Sequence, residues 1–295
     1  MHRFSLLILI ATSLSVGVAY AQTDPFPADP LTPRTHALLM VKVGLEREVK
    51  GQLDKAIADY TEAIRIDSTY DEAYFSRGRA LDKKDDHDGA IADFTKTIEL
   101  NPQYKGVYFA RGLARLVKED FDGTMADCTK AIELNPGNDD AYYLRGHARD
   151  LKGDHDGAIA DYTKTIELNP QYKGVYFARA NARFAKSEWD GAIADYTKVI
   201  ELNPHDTHAY LNRGYAREEK GNHDGAIADS TKGIELNPQD AAAYGVRGLV
   251  KLKQGKDTEA QQDFDTALKI DPSSKTGLET AINEIKQSRK PTSKP

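Results

Sequence analysis

Three histidines, His87, His155 and His223, recur 68 residues apart, each followed by Asp-Gly-Ala-Ile-Ala-Asp. Imidazoles are common metal ligands, so the set invites a metal reading. The acidic run Asp85 to Asp88 adds carboxylates that could face calcium, but it lacks the spaced ligand series and distal Glu of an EF-hand loop. Aspartates recur at Asp93, Asp127, Asp161, Asp195, Asp229 and Asp263, a row that could be imagined as general acids and bases. One thiol, Cys128, is available as a nucleophile, and a single cysteine excludes an intramolecular disulfide framework and every Cys-based zinc site. No G-x-S-x-G, Walker A, H-E-x-x-H or G-x-G-x-x-G context is present.

The elements that would position these residues are set by the prolines. Pro102, Pro136, Pro170, Pro204, Pro238 and Pro272 are each 34 residues apart, and the flanking pattern reaches one step further back, to Ser68. Seven units follow, starting at Ala37, Asp71, Lys105, Asp139, Lys173, Thr207 and Ala241; the segment NPQYKGVYFAR even occurs twice, at 101–111 and 169–179. Each unit carries two helical apolar patterns. In the second unit Ala73, Tyr74, Arg77, Gly78 and Leu81 mark one face of a first helix, and Ala90, Ile91, Phe94 and Ile98 mark a second. Gly51, Gly153, Gly221 and Gly255 stand in the turn between them, where a left-handed residue can end a helix. Asn-Pro or Asp-Pro stops the second helix, because a residue before proline avoids the α region. A helix pair this small exposes its apolar face unless another pair stacks on it, so a quasi-one-dimensional stack is expected.

A 34-residue helix–turn–helix with aromatic, glycine, alanine, aromatic and proline at fixed offsets resembles the tetratricopeptide repeat. Tyr74, Gly78, Ala90, Phe94 and Pro102 carry the match in the second unit; Tyr176, Ala192, Tyr196 and Pro204 carry it in the fifth, with Ala180 at the glycine place. The resemblance spans residues 37–274 and implies an all-α, right-handed superhelical solenoid whose first helices line a concave groove. One departure stands out. The usual apolar residue before the glycine is Arg77, Arg111, Arg145, Arg179, Arg213 or Arg247, with aspartate sixteen residues later in each case. The first unit keeps Asp59 but has Val43 at the arginine place. A bidentate Arg–Asp bridge inside each pair is the expected use of these charges, since a catalytic site needs asymmetry and this row has none. Stacking also separates the three histidines by about 10 Å per unit, too far to share one ion. Cys128 takes the place of Phe94, Tyr162 and Tyr196 on the buried face. No catalysis, metal or cofactor is expected.

In the family, ligand contacts come from first-helix residues on the concave side. Mapped onto this chain, one row is Phe75, Phe109, Tyr143, Phe177 and Leu211, and a second is Arg79, Leu113, His147, Asn181 and Tyr215, with Asn212 beside them. The resemblance thus implies protein or peptide partners, and the aromatic row leaves an exported polysaccharide as the alternative. The lysine place of the carboxylate clamp found in some relatives is aromatic here. The net charge of −6 argues against nucleic acid, which calls for a basic footprint. Residues 1–21 combine Arg3, an apolar stretch and Ala19-Tyr20-Ala21, the pattern of a cleaved signal peptide, with no span left after its removal. An exported chain is expected, periplasmic in a Gram-negative cell. A Pro-rich linker at 22–36, a capping helix at 275–290 and a basic tail at 291–295 complete the reading.

Overall fold

The computed structural model describes residues 32–289, which contain fifteen α-helices, one 3-10 turn and no strand. The helices are α1 (Pro33–Val49), α2 (Leu53–Ile66), α3 (Asp71–Asp82), α4 (His87–Leu100), α5 (Val107–Val117), α6 (Phe121–Leu134), α7 (Asp139–Leu151), α8 (His155–Leu168), α9 (Lys173–Ala185), α10 (Trp189–Leu202), α11 (Thr207–Glu219), α12 (His223–Leu236), α13 (Ala241–Lys253), α14 (Asp257–Ile270) and α15 (Lys275–Ser288). The proposed signal segment, most of the Pro-rich stretch and the basic tail lie outside the described residues.

Helix starts follow local chemistry. Asp86, Asp120, Asp154 and Asn222 each accept a hydrogen bond from the backbone N–H three residues on, capping α4, α6, α8 and α12. The linker is shorter than the sequence suggests. Thr32 caps Thr35 N–H and Pro33 occupies the first helical turn, where its fixed φ is suitable, so α1 begins inside the stretch assigned to the linker. The turn between paired helices is left-handed in every repeat: glycine supplies it at φ +72 to +82° in four, and Asp85, Glu119 and Ser187 adopt it near +60° in the other three.

The described residues divide into two compact units, one ending at Ala80 and one beginning at Leu81. In the first, α1 packs on α2 around Ala37, Val41, Ala56, Tyr60 and Ala63. In the second, each helix from α4 to α14 packs on its neighbours in sequence, first helices also touch across repeats (α5 on α7, α7 on α9, α11 on α13), and α15 closes on α13. Large rings on the second helices fill the interior: Tyr162 and Tyr196 are almost fully buried, as is Phe264. The glycine opposite is required by close approach. A Cβ on Gly248 would lie 2.5 Å from the Phe264 ring, and one on Gly44 would lie 2.4 Å from Tyr60.

The arginine–aspartate bridges form in all five repeats from α5 onward. Arg145 grips Asp161 through Nε–Oδ2 at 2.9 Å and Nη2–Oδ1 at 2.7 Å, and the same fork joins Arg111 to Asp127, Arg179 to Asp195, Arg213 to Asp229 and Arg247 to Asp263. Two partners were not foreseen. The cation four residues on, Arg149 in this repeat, reaches the same carboxylate at 2.7 Å, and Arg115, Arg183, Arg217 and Lys251 do so in theirs at 2.7–2.9 Å. Arg145 Nη1 also donates to Thr129 Oγ1 on the preceding repeat's second helix. Each bridge therefore ties a repeat internally and to its neighbour. In the first repeat Arg47 holds Asp59 alone, at 2.6 Å, and Asp59 Oδ2 has no hydrogen-bond partner.

Candidate interaction surface

The residues whose types could do chemistry have these surroundings. Burial pushes the Cys128 thiol up to about 12, so it carries no thiolate at neutral pH. His87, His155 and His223 each place Nδ1 against a carboxylate five residues earlier, Asp82, Asp150 and Glu218, at 2.6–2.8 Å. Among the described residues, no three His, Cys, Asp or Glu side chains converge as a metal site would need.

The first-helix rows divide by depth. Positions five residues into each repeat are drawn inward. Leu211 is buried at 6% exposure, over Gly233. Tyr143 is half-buried, with its ring 5.0 Å from Tyr172 and 5.8 Å from Tyr162, and Phe177 meets Tyr196 edge-on at 5.6 Å. Phe75 and Phe109 are likewise half-buried. Burial raises the pKa of the Tyr143 hydroxyl. The next row, nine residues in, is more open. Leu113, Asn181 and Tyr215 are exposed, and His147 stacks on Tyr143 at 6.3 Å. Asn181 is fixed in place because its Oδ1 accepts from Tyr196 OH at 2.6 Å. In the second repeat Arg79 sits 3.7 Å from Glu48 of the first and over the Phe75 ring at 6.0 Å. Asn212 is half-buried on α11.

Eight large hydrophobic residues are exposed among the described ones, and seven lie on first helices: Leu38, Leu45, Val49, Leu113, Val117, Leu151 and Tyr215. They occupy only the second, ninth and thirteenth positions of their repeats. Leu168 alone lies on a second helix. Sequence reasoning found Leu113 and Tyr215 but missed Val117 and Leu151. The signal was available, since a helical step of four from Leu113 and His147 reaches both on the same face.

Family models bear on this architecture directly. One described as TPR repeat matches residues 49–85 and 180–221, and two described as tetratricopeptide repeat match 139–172 and, in the other case, 71–104, 207–240 and 241–274. Together they cover well over half of the chain. The chain belongs to the tetratricopeptide-repeat family. Among solved structures, this tetratricopeptide-repeat chain is similar to MamA at 27% identity, with 58% of this chain and 93% of that one covered and a TM-score of 0.54. It resembles YrrB, a TPR protein with an unusual peptide-binding site, at 22% identity over 62% of this chain and 95% of that one, TM-score 0.58. The C-terminal part of a TPR repeat-containing protein from Cytophaga hutchinsonii aligns at 17% identity over 81% of this chain and 98% of that one, TM-score 0.71, a likeness of fold alone. No curated protein gives a significant match.

Proposed function

We propose that this chain is an exported, non-catalytic scaffold that holds a segment of a partner protein against its first-helix face. The observation that supports the reading most strongly is where the exposed large hydrophobics fall: all three in the first unit, and four of the five in the second, are on first helices. Isolated surface apolar residues need no explanation, but a set confined to one type of helix and three repeat positions does. Membership of the tetratricopeptide-repeat family points the same way, and the peptide-binding site named for YrrB gives a precedent on a similar fold. Half-buried Tyr143 and Phe177, with rings already committed to Tyr172 and Tyr196, offer little open face for stacking sugars. Export rests on the N-terminal sequence, and mass spectrometry of the secreted or periplasmic chain should find Gln22 as its first residue.

A photo-crosslinking amino acid placed at Val117 or at Lys164 tests the surface. Adducts to a discrete partner from position 117 and none from 164 are expected. The reverse pattern would place the partner on second helices and end this reading.

A further inference from the structure

Beneath the exposed positions, the inward row that lies five residues into each repeat ends in the last repeat on an unusual residue, the buried Gly245. Where earlier repeats have Phe109, Tyr143, Phe177 and Leu211, the seventh has Gly245. The missing side chain leaves a cavity of about 250 Å³ between α11, α13 and α15, lined by Tyr215, Ala242, Gly245, Leu249, Leu278 and Ala281 among others. A second cavity of about 220 Å³ adjoins it and shares Tyr215, Val246, Leu249 and Ala281. Its floor is apolar, but its rim carries Glu218, Glu219, Glu284 and Lys253.

These charges are unequally committed. Lys253 Nζ lies 2.8 Å from Glu218 Oε1, and His223 Nδ1 lies 2.6 Å from Glu218 Oε2. The rim's cation, Lys253, is thus already paired, while Glu219 and Glu284 are exposed and have no ion pair among the described residues. Each cavity is smaller than the roughly 300–1,000 Å³ of sites that enclose whole small molecules, so single side chains are the fitting guests.

We infer that this double trough is the specificity pocket of the first-helix face, and that it takes a partner segment in which a bulky apolar side chain stands beside a lysine or arginine. The apolar group fills the cavity over Gly245 and the cation sits between Glu219 and Glu284. Charge complementarity of this kind selects partners and steers their approach, and an aliphatic or aromatic anchor in a small pocket supplies the hold. The inference rests on the scaffold reading but locates the decisive contact, and it can fail while that reading stands.

Panning a 12-residue phage-displayed peptide library on the exported full chain tests it. Enriched peptides should pair Leu, Phe or Trp with a nearby Lys or Arg. Gly245→Leu fills the cavity: a Cβ there meets nothing closer than Leu278 Cδ1 at 3.9 Å, and the rest of the side chain enters the space of about 250 Å³. It should weaken the selected synthetic peptides at least tenfold, Gly245→Ala much less, and Glu219→Lys with Glu284→Lys at least fivefold, with no variant melting below wild type, since a side chain at a mid-helix glycine favours the helix. Peptides lacking basic residues, or binding the Gly245→Leu chain as well as wild type while failing on Leu113→Asp with Val117→Asp, would overturn the trough and leave the face. Peptides indifferent to every first-helix variant, or no enrichment at all, would overturn both. Self-association of the chain that disappears in Gly245→Leu would make a second copy the occupant and overturn the proposed partner.

Discussion

On the second helices the pairs Lys130–Glu133, Lys164–Glu167, Lys198–Glu201 and Lys232–Glu235 repeat at 2.9 Å or 3.0 Å in four successive repeats. On the first helices of those same repeats, positions nine and thirteen read Leu113 and Val117, His147 and Leu151, Asn181 and Ala185, Tyr215 and Glu219. Both surfaces are solvent-facing, yet one is copied and the other varied. A copied surface presents the same chemistry at every step and cannot distinguish one partner, or one register of a partner, from another. A varied surface can. The interior shows the same uniformity as the second-helix surface, with its Arg–Asp forks drawn to nearly identical lengths from Arg111 to Arg247. In the interior, repetition marks what stacking requires; on the surface, variation marks where one repeat can be told from another.

Substitutions can break this contrast in order of size. Asp161→Ala removes the buried carboxylate that Arg145 and Arg149 share, and should cost about 3–5 kcal/mol in a urea melt, the range for breaking a buried pair from one side. Arg145→Ala removes the fork and the Thr129 bond but leaves Arg149 on Asp161, so about 2–3 kcal/mol is expected, in line with charged hydrogen bonds. Equal losses for the two would mean that the second cation contributes nothing. Lys164→Ala, on the copied surface, should give a urea melt that overlays the wild type's.

The first repeat is a natural version of the broken bridge. With Val43 at the arginine place, burial raises the pKa of Asp59 above the ordinary carboxylate value, and Arg47 opposes the shift only in part. A carboxyl raised in this way binds its proton more tightly folded than unfolded, so it favours folding as pH falls into that range and disfavours it above. Val43→Arg should restore the fork and protect α1 and α2 by about 1 kcal/mol at pH 7, measured by hydrogen exchange, as expected for a charge-assisted bond. The gain should shrink as pH falls toward the ordinary carboxylate range. A gain that grows on acidification would contradict the assigned cause.

Much of this was legible in the sequence because repetition makes packing rules visible. The 34-residue proline spacing marked the helix ends, and the Arg–Asp offset of sixteen announced the forks. The second cation, four residues further on, was missed because Arg115, Arg149, Arg183 and Arg217 read as ordinary surface charges in a helix's last turn. Apolar periodicity shows that Tyr143, Phe177 and Leu211 share a face, but whether that face is open depends on how closely Tyr172, Tyr196 and Gly233 approach. The trough over Gly245 could not be read at all, since a cavity is made by what three helices leave unfilled.

The central claim, that partners are held by the varied first-helix face, is tested most directly by one calorimetric comparison. A partner recovered by affinity capture from the compartment where the chain resides is titrated into wild type, into Leu113→Asp with Val117→Asp and Leu151→Asp, and into Lys130→Glu with Lys164→Glu. The account predicts a loss of about 2–4 kcal/mol for the first-helix variant, a hot-spot magnitude, and wild-type affinity for the second-helix variant, with circular dichroism unchanged in both. Full affinity in the first-helix variant together with lost affinity in the second would contradict it.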